Sequence, residues 1–476
     1  VTDYSIFFLS RVRQRLAEGE VARRASARGT AELLPIIVTA GLTVVGATAS
    51  LAVAKLGFFQ AFGPGMAMAI LVGLAVSTTF VPALLAIGGR WLFWPRRPGV
   101  EAPAEETAEE TPTEREDRPG RSWAVSLATR RPLPVALGCV ALLAVCSLGL
   151  MRLDLGNPLI RGLPADSPAR KAYAAASQGF TPGVLSPTVL ILEGEGVTRR
   201  RASLAALQRL LEAQPGVAEV AGPADQPTRR PFGAALSQTG DAARFFVVFN
   251  DDPLGARAID SLSTLRRRLP LLKRVAGLSG ARTSVAGDTA LIAETIDRTR
   301  GDLGRVAPVA LGVVLLLLAV FLRALVAPLY LVATSVLALL ASLGLATLLF
   351  GDLLGYGELT YYVPFAAAVL LVSLGSDYNV FLVGRIWAEA RARPLREAVA
   401  VAGARAATPI TIAGLVLAAS FALLALVPVR PFRELAFTVA VGLALDAFLV
   451  RTLLVPALMV LVGPVSGWPG RRLRRS

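Results

Sequence analysis

Eight apolar runs, at positions 33–54, 62–87, 133–150, 306–322, 326–350, 361–383, 408–427 and 435–462, punctuate the chain. Each approaches or exceeds the roughly 20 helical residues that cross a hydrocarbon core about 30 Å thick, so the pattern predicts membrane-spanning helices. Most of the runs contain Gly and Pro, which spanning helices tolerate when neighbouring helices satisfy the freed backbone groups. The one long polar region, 152–305, reads differently. Strand-like runs at 187–192 and 244–249 alternate with helical periodicity at 200–213 and 256–273, which predicts a compact α/β domain between two spans.

Charge sets the expected orientation. Arg11, Arg13, Arg15, Arg23, Arg24 and Arg28 precede the first complete run, and Arg385, Arg391, Arg393, Arg396 and Arg405 lie between the sixth and seventh. Arg471, Arg472, Arg474 and Arg475 end the chain, while the alternate short loops carry few positive residues. By the positive-inside rule the arginine-rich segments are cytoplasmic and the α/β domain is extracytoplasmic. A Pro/Glu-rich stretch between positions 95 and 121 cannot bury enough apolar area to order itself and reads as a cytoplasmic linker. The expected divisions are 1–94, the end of a first membrane half; 95–132, the linker; 133–150, a spanning helix; 151–305, the α/β domain; 306–462, a five-helix bundle; and 463–476, a basic tail.

Composition narrows the chemistry. With 54% hydrophobic and 17% charged residues, lipid is the main solvent, and a disordered, fibrous or ordinary cytosolic protein is excluded. The net charge of +15 does not point to nucleic acid, because the basic patches are short and interrupted. Histidine is absent, and Cys139 and Cys146 lie seven apart in one apolar run, so neither a metal nor a cofactor is expected. The residues offer no nucleophile paired with a base and no phosphate-cradling glycine loop, so the reading is of a protein that is not an enzyme.

Comparing the chain with itself exposes a repeat. The segment from Thr2-Asp3-Tyr4 to Arg11 matches that from Ser376-Asp377-Tyr378 to Arg385 at an offset of 374 residues, and Val81-Pro82-Ala83-Leu84 matches Val455-Pro456-Ala457-Leu458 at the same offset. The fold class expected is therefore a polytopic α-helical membrane protein with an inserted extracytoplasmic α/β domain and two repeated membrane halves in parallel orientation, the first incomplete. Only Val1 and Thr2 precede Asp3, whereas an apolar run precedes Asp377, so the sequence is expected to begin inside a membrane helix.

Asp3 and Asp377 are the sharpest chemical signals, because a carboxylate at the centre of a spanning helix costs about 2.5 to 3.5 kcal/mol or more. Desolvation favours the neutral form of a carboxylate, so an aspartate in apolar surroundings can load and release a proton near neutral pH. Tyr4 and Tyr378 could hydrogen-bond the aspartate of the opposite half while staying neutral. Asp446, Ser373 and Ser376 are secondary candidates for supporting such a relay, although either serine could bond its own helix backbone instead. Asp446 and Arg451 lie five apart, about 140° around an ideal α-helix. That spacing disfavours a pair between them and leaves Arg451 to snorkel toward the interface.

These residues resemble those of the MMPL transporters of the resistance-nodulation-division superfamily. The resemblance rests on the two Asp-Tyr motifs with Arg11 and Arg385, on the closing Asp446-Ala447-Phe448-Leu449-Val450-Arg451, and on Leu163-Pro164-Ala165-Asp166-Ser167-Pro168 and Gly287-Asp288-Thr289-Ala290-Leu291. It implies a porter-like outer domain, a proton relay at Asp3, Tyr4, Asp377 and Tyr378, and export of hydrophobic or amphiphilic molecules such as lipids or drugs, driven by the proton-motive force across a bacterial inner membrane. The implied partners are the bilayer, a lipid-like substrate, protons, and either a second copy of the chain or an accessory membrane protein. A truncated, non-transporting scaffold or degenerate half that needs a partner chain is the competing expectation.

Overall fold

The computed structural model describes residues 2–93, 123–225 and 234–470. The greater part of the expected linker and the arginines ending the tail lie outside the described residues, as do the side chains of Asp3, Ser376 and Asp377.

Among the described residues, eight helical stretches are long and apolar enough to cross a membrane: Ala22–Val53, Gly57–Gly88, Pro132–Arg152, Asp288–Leu322, Val326–Leu353, Val363–Glu389, Pro409–Leu426 and Arg430–Gly467. A shorter helix, Thr2–Ala17, precedes them. Burial separates them by position. In the apolar window of the 57–88 stretch 17% of residues are buried by protein, against 75% for the 363–389 helix, which therefore runs through the middle of the bundle. Phe58, Met68, Val72 and Phe80 project from the outer helix, whereas Phe365, Val380, Val383 and Ile386 of the central helix are buried against its neighbours. Small residues allow close approach where the 132–152 and 326–353 stretches cross. A Cβ on Gly149 would collide with the backbone of Gly344, and one on Gly344 with the backbone of Cys146.

Between the third and fourth of these stretches the polar region folds into an α/β lobe. Its sheet has the order β3-β4-β2-β5, with β2 Thr188–Glu193, β3 Val217–Ala221, β4 Ala242–Phe249 and β5 Arg282–Ala286, all neighbours antiparallel. Alternation along the strands places Leu190 and Leu192 of β2 and Phe245 and Val247 of β4 in one core. The helices Arg201–Glu212 and Ala256–Val275 cover it with Leu204, Leu207, Leu211, Leu262, Leu265 and Leu269. The two remaining sequence motifs are helix starts. Ser167 caps Pro168–Gly179 by accepting the Arg170 N–H, with proline in the first turn. Gly287, at φ 102°, turns the chain from β5 into Asp288–Leu322, in a backbone conformation that side chains rarely adopt and where a Cβ would lie 3.0 Å from the Pro187 carbonyl oxygen.

That last helix has 35 residues, roughly 52 Å at 1.5 Å per residue, and so runs unbroken from the lobe through the bundle. At its upper turns Asp302, fully buried, accepts the backbone N–H groups of Lys55 at 2.9 and 3.0 Å and Leu56 at 2.8 Å, and pairs with Arg305 at 2.9 Å. The carboxylate thus satisfies orphan donors at the start of the 57–88 helix and ties the first two long helices to the lobe's exit.

A second anchor lies at the lobe's entry. The short strand β1 Leu155–Gly156 pairs in parallel with β6 Leu359–Thr360 from the loop before the central helix. Around this pairing Arg161 reaches Asp252 and Glu358, each at 2.8 Å, and Glu358 also accepts the Ala256 N–H at 2.6 Å. Arg430 pairs with the fully buried Glu434 at 2.6 Å and donates to the Glu358 carbonyl, while Glu434 accepts the Thr360 N–H at 2.8 Å. Gly156 is required at this point, because a Cβ there would strike the Glu358 carboxylate.

Candidate functional site

The two Asp-Tyr motifs lie on different helices that the fold brings together. Asp3 and Tyr4 belong to the N-terminal helix Thr2–Ala17, and Asp377 and Tyr378 to the central helix Val363–Glu389. Nothing is assigned to the two aspartate side chains, which lie outside the described residues, but both tyrosines are placed and buried. Tyr4 and Tyr378 line one narrow crevice of about 10 Å³ together with Phe7, Ile36, Ile37, Ala40 and Phe381. Phe7 holds the two helices in contact, stacking on Phe381 with ring centroids 4.1 Å apart and meeting Tyr378 edge-on at 6.0 Å. The 374-residue repeat thus converges in space, with Phe7 and Phe381 themselves related by that offset.

One turn toward the lobe from this crevice lies a feature that the α-helical reading of the last span mispredicted. Residues Leu445–Leu454 form a π-helix, which closes its hydrogen bonds between residues five apart rather than four. Positions 446 and 451 then come to lie over one another, and Asp446 forms a buried ion pair with Arg451. The 140° offset of an ideal α-helix does not apply, and Arg451, 3% exposed, does not snorkel to an interface. The wider turn brings the two buried charges together, so that each offsets the other.

Arg451 reaches across to the central helix. It donates to the Gly375 carbonyl at 2.7 Å, and its guanidinium carbon lies 4.3 Å from the centre of the Tyr378 ring. Its contacts therefore fall on both sides of Asp377 in the sequence. Gly375 also faces Asp446 and Ser335: a Cβ there would lie 3.7 Å from the Asp446 carboxylate and 3.8 Å from the Ser335 hydroxyl. Asp446 Oδ1, Arg451 Nε, the Ser335 hydroxyl and both amide atoms of Asn379 are buried without a hydrogen-bond partner among the described residues. Polar capacity left unfilled inside an apolar bundle is costly.

Of the secondary candidates, Ser373 donates to the Val369 carbonyl of its own helix at 2.6 Å, and the Ser376 side chain lies outside the described residues. Sequence reasoning missed Arg451 as the residue linking the last span to the Asp-Tyr helix. The available signal was the presence of two ionisable residues of opposite sign in one apolar run. At the end of the bundle away from the lobe, the repeat-related Arg11 and Arg385 line a common cavity of about 600 Å³. Arg11 pairs there with Glu32 at 2.6 Å, and Arg385 packs over the Phe381 ring at 4.7 Å.

Comparison with known proteins places the chain among membrane proteins. The chain is 35% identical over 476 residues to the membrane protein ActII-3 of Streptomyces coelicolor, covering 100% of this chain and 62% of that protein. It is 29% identical over 481 residues to the apo-petrobactin exporter of Bacillus anthracis, covering 100% and 63%, and 35% identical over 239 residues to the sulfolipid-1 exporter MmpL8 of Mycobacterium tuberculosis, covering 49% and 21%. The chain therefore spans less than two-thirds of the length of these curated relatives. Among solved structures, the super-membrane-facing form of SecDF shares the fold with a TM-score of 0.52 at 18% identity, covering 96% of this chain and 52% of SecDF. The family model described as MMPL matches residues 1–135 and 161–476, which include the crevice tyrosines, the Asp446–Arg451 pair and nearly all of the lobe. A multi-pass helical bundle with these motifs, matched over almost its whole length, belongs to the MMPL family.

Proposed function

We propose that the protein works in a proton-driven secondary transporter that exports hydrophobic or amphiphilic molecules across a bacterial inner membrane. The observation that carries this reading is the buried cluster in which Arg451, paired with Asp446, touches the residues flanking Asp377 while Tyr4 and Tyr378 share a crevice. Ionisable groups at this depth are expensive and mark ion pathways. The exporters among the relatives, named for apo-petrobactin and sulfolipid-1, support an amphiphilic cargo.

In this reading Asp377 and Asp3 accept and release protons, the two tyrosines orient them across the repeat interface, and Arg451 is the fixed counter-charge. A proton that neutralises a carboxylate beside Arg451 alters the balance of charge between the last span and the central helix. Each charge moved through 100 mV supplies about 2.3 kcal/mol, and it drives a conformational cycle only if the two states bind the proton differently. The arginine-rich segments face the cytoplasm and the α/β lobe the opposite side, where it forms part of the substrate path. A second copy or an accessory membrane protein completes the assembly.

The test is export by the chromosomal protein carrying Asp377→Asn, with membrane abundance measured in parallel. Export should fall to background while abundance is unchanged, and dissipating the proton gradient in the unaltered strain should do the same. Energised export retained by Asp377→Asn defeats the relay.

A further inference from the structure

We propose that a cavity of about 650 Å³ at the junction of the lobe and the bundle is a headgroup site for an anionic amphiphile. The inference rests on the transport reading and names its substrate class. Four arginines line the cavity, Arg161, Arg170, Arg430 and Arg433, and no aspartate or glutamate among the described residues does. The carboxylates that balance them belong to the anchor behind the wall: Asp252 and Glu358 hold Arg161, and Glu434 holds Arg430. Arg170 donates to the carbonyls of Arg161 and Leu163, and Arg430 lies over the Tyr356 ring at 4.2 Å. Three guanidinium groups are thus held in place before any ligand arrives.

Arg433 is the fourth and differs from the rest. It is exposed and forms no ion pair among the described residues. Three carboxylates against four arginines leave an excess of positive charge facing the cavity. Guanidinium forks match the paired oxygens of a carboxylate, phosphate or sulfate, and pre-positioned donors lose little freedom on binding. The volume suits a headgroup with the start of its chain. Besides Ser177 and the rings of Tyr173 and Tyr356, the remaining wall is apolar, with Leu163, Pro164 and Pro428, and close in sequence to Gly355 and Arg433 are the exposed Leu353, Leu354 and Phe432. An acidic group with an alkyl chain satisfies both surfaces, whereas a free anion would use only one.

The test is binding of octyl phosphate, octyltrimethylammonium and inorganic phosphate to the full chain in neutral phosphatidylcholine nanodiscs, by titration calorimetry. Octyl phosphate should bind about tenfold or more tightly than either control, and Arg433→Glu should weaken it about tenfold without lowering the melting temperature. Unchanged affinity in Arg433→Glu, or equal binding of the cation, overturns the site; inorganic phosphate binding as tightly as octyl phosphate makes it a free-anion site instead. Export by Asp377→Asn, measured alongside, separates the two proposals. Export lost in Asp377→Asn together with unaltered octyl phosphate binding by Arg433→Glu defeats the headgroup site alone, and export retained in Asp377→Asn defeats the transport reading alone.

Discussion

Two clusters of buried charge hold this protein together, and they are built on opposite plans. In the bundle a single arginine and a single aspartate, Arg451 and Asp446, face each other across one π-helical turn, with Asp446 Oδ1 and Arg451 Nε left without partners among the described residues. At the junction two arginines and three carboxylates share a network in which Glu358 and Glu434 also accept backbone N–H groups. Redundant partners make the second cluster a structural anchor, because losing one contact leaves others in place. Among the described residues the pair in the bundle has, besides itself, only the Gly375 carbonyl and the Tyr378 ring as partners of Arg451, so it holds less reserve.

The strongest way to break the comparison is to remove one member of the bundle pair. Arg451→Met leaves Asp446 buried without its counter-charge and should cost about 3 to 5 kcal/mol, seen as a sharp loss of melting temperature and membrane yield. The double variant Arg451→Met/Asp446→Leu should recover most of that stability while failing to support export. If the single variant is as stable as the unaltered protein, the pair is not the isolated element described.

A smaller effect is expected at the junction from steric change. Gly156→Ala forces a Cβ against the Glu358 carboxylate and should destabilise the docking of the lobe by about 1 to 3 kcal/mol, measured as faster proteolysis between positions 150 and 165. Unchanged cleavage would show that β1 and β6 can separate without loss.

The pH dependence should separate the clusters further. Burial pushes the Glu358 carboxyl above its ordinary value, against the opposing influence of the Ala256 N–H and of Arg161 and Arg430. A carboxyl whose folded-state pKa is raised contributes stability that is fully present below its unfolded value, near 4.5, and is lost as pH rises through the folded value. The junction should therefore resist thermal undocking slightly better at mildly acidic pH than at neutrality, and Glu358→Gln should remove that dependence. A Glu358→Gln protein with the same pH profile as its parent would place the titrating group elsewhere.

The smallest effect belongs to Tyr173, which donates to Asp252 at 2.6 Å. Burial and the adjacent Asp252 carboxylate hold its hydroxyl protonated, pushing its pKa up to about 12. Tyr173→Phe should cost about 1 kcal/mol in melting experiments and leave the Arg161 contacts intact. A loss as large as that of Arg451→Met would show that the junction is no more redundant than the bundle.

Much of the design was legible without coordinates, and the exceptions have identifiable causes. The strands around Leu190 and Phe245 and the helices around Leu207 and Leu265 follow from local periodicity, because burial on one face imposes a repeat of two or 3.6 residues. The membrane runs follow from apolar length. The Asp-Tyr motifs stood out because charge is rare in such runs, and the offset relating them also relates Phe7 and Phe381, through which the two helices touch. Arg451 was misread because the α-helical period was assumed through a segment that is π-helical. The spacing of residues along the segment does not announce the π turn, and only within that turn do the two charges, five apart, face each other.

The arginine-lined cavity was likewise invisible along the chain. Its four arginines come from two stretches, Arg161 with Arg170 and Arg430 with Arg433, separated by more than 250 residues. What the amino-acid sequence by itself determined was therefore everything set by short-range pattern: where the chain is apolar enough to span, where it alternates into strands, and which residues repeat. Only the tertiary structure decided which charges meet. Ion pairing depends on distances across helices and on the local winding of each, and neither is encoded in the spacing of residues along a single segment.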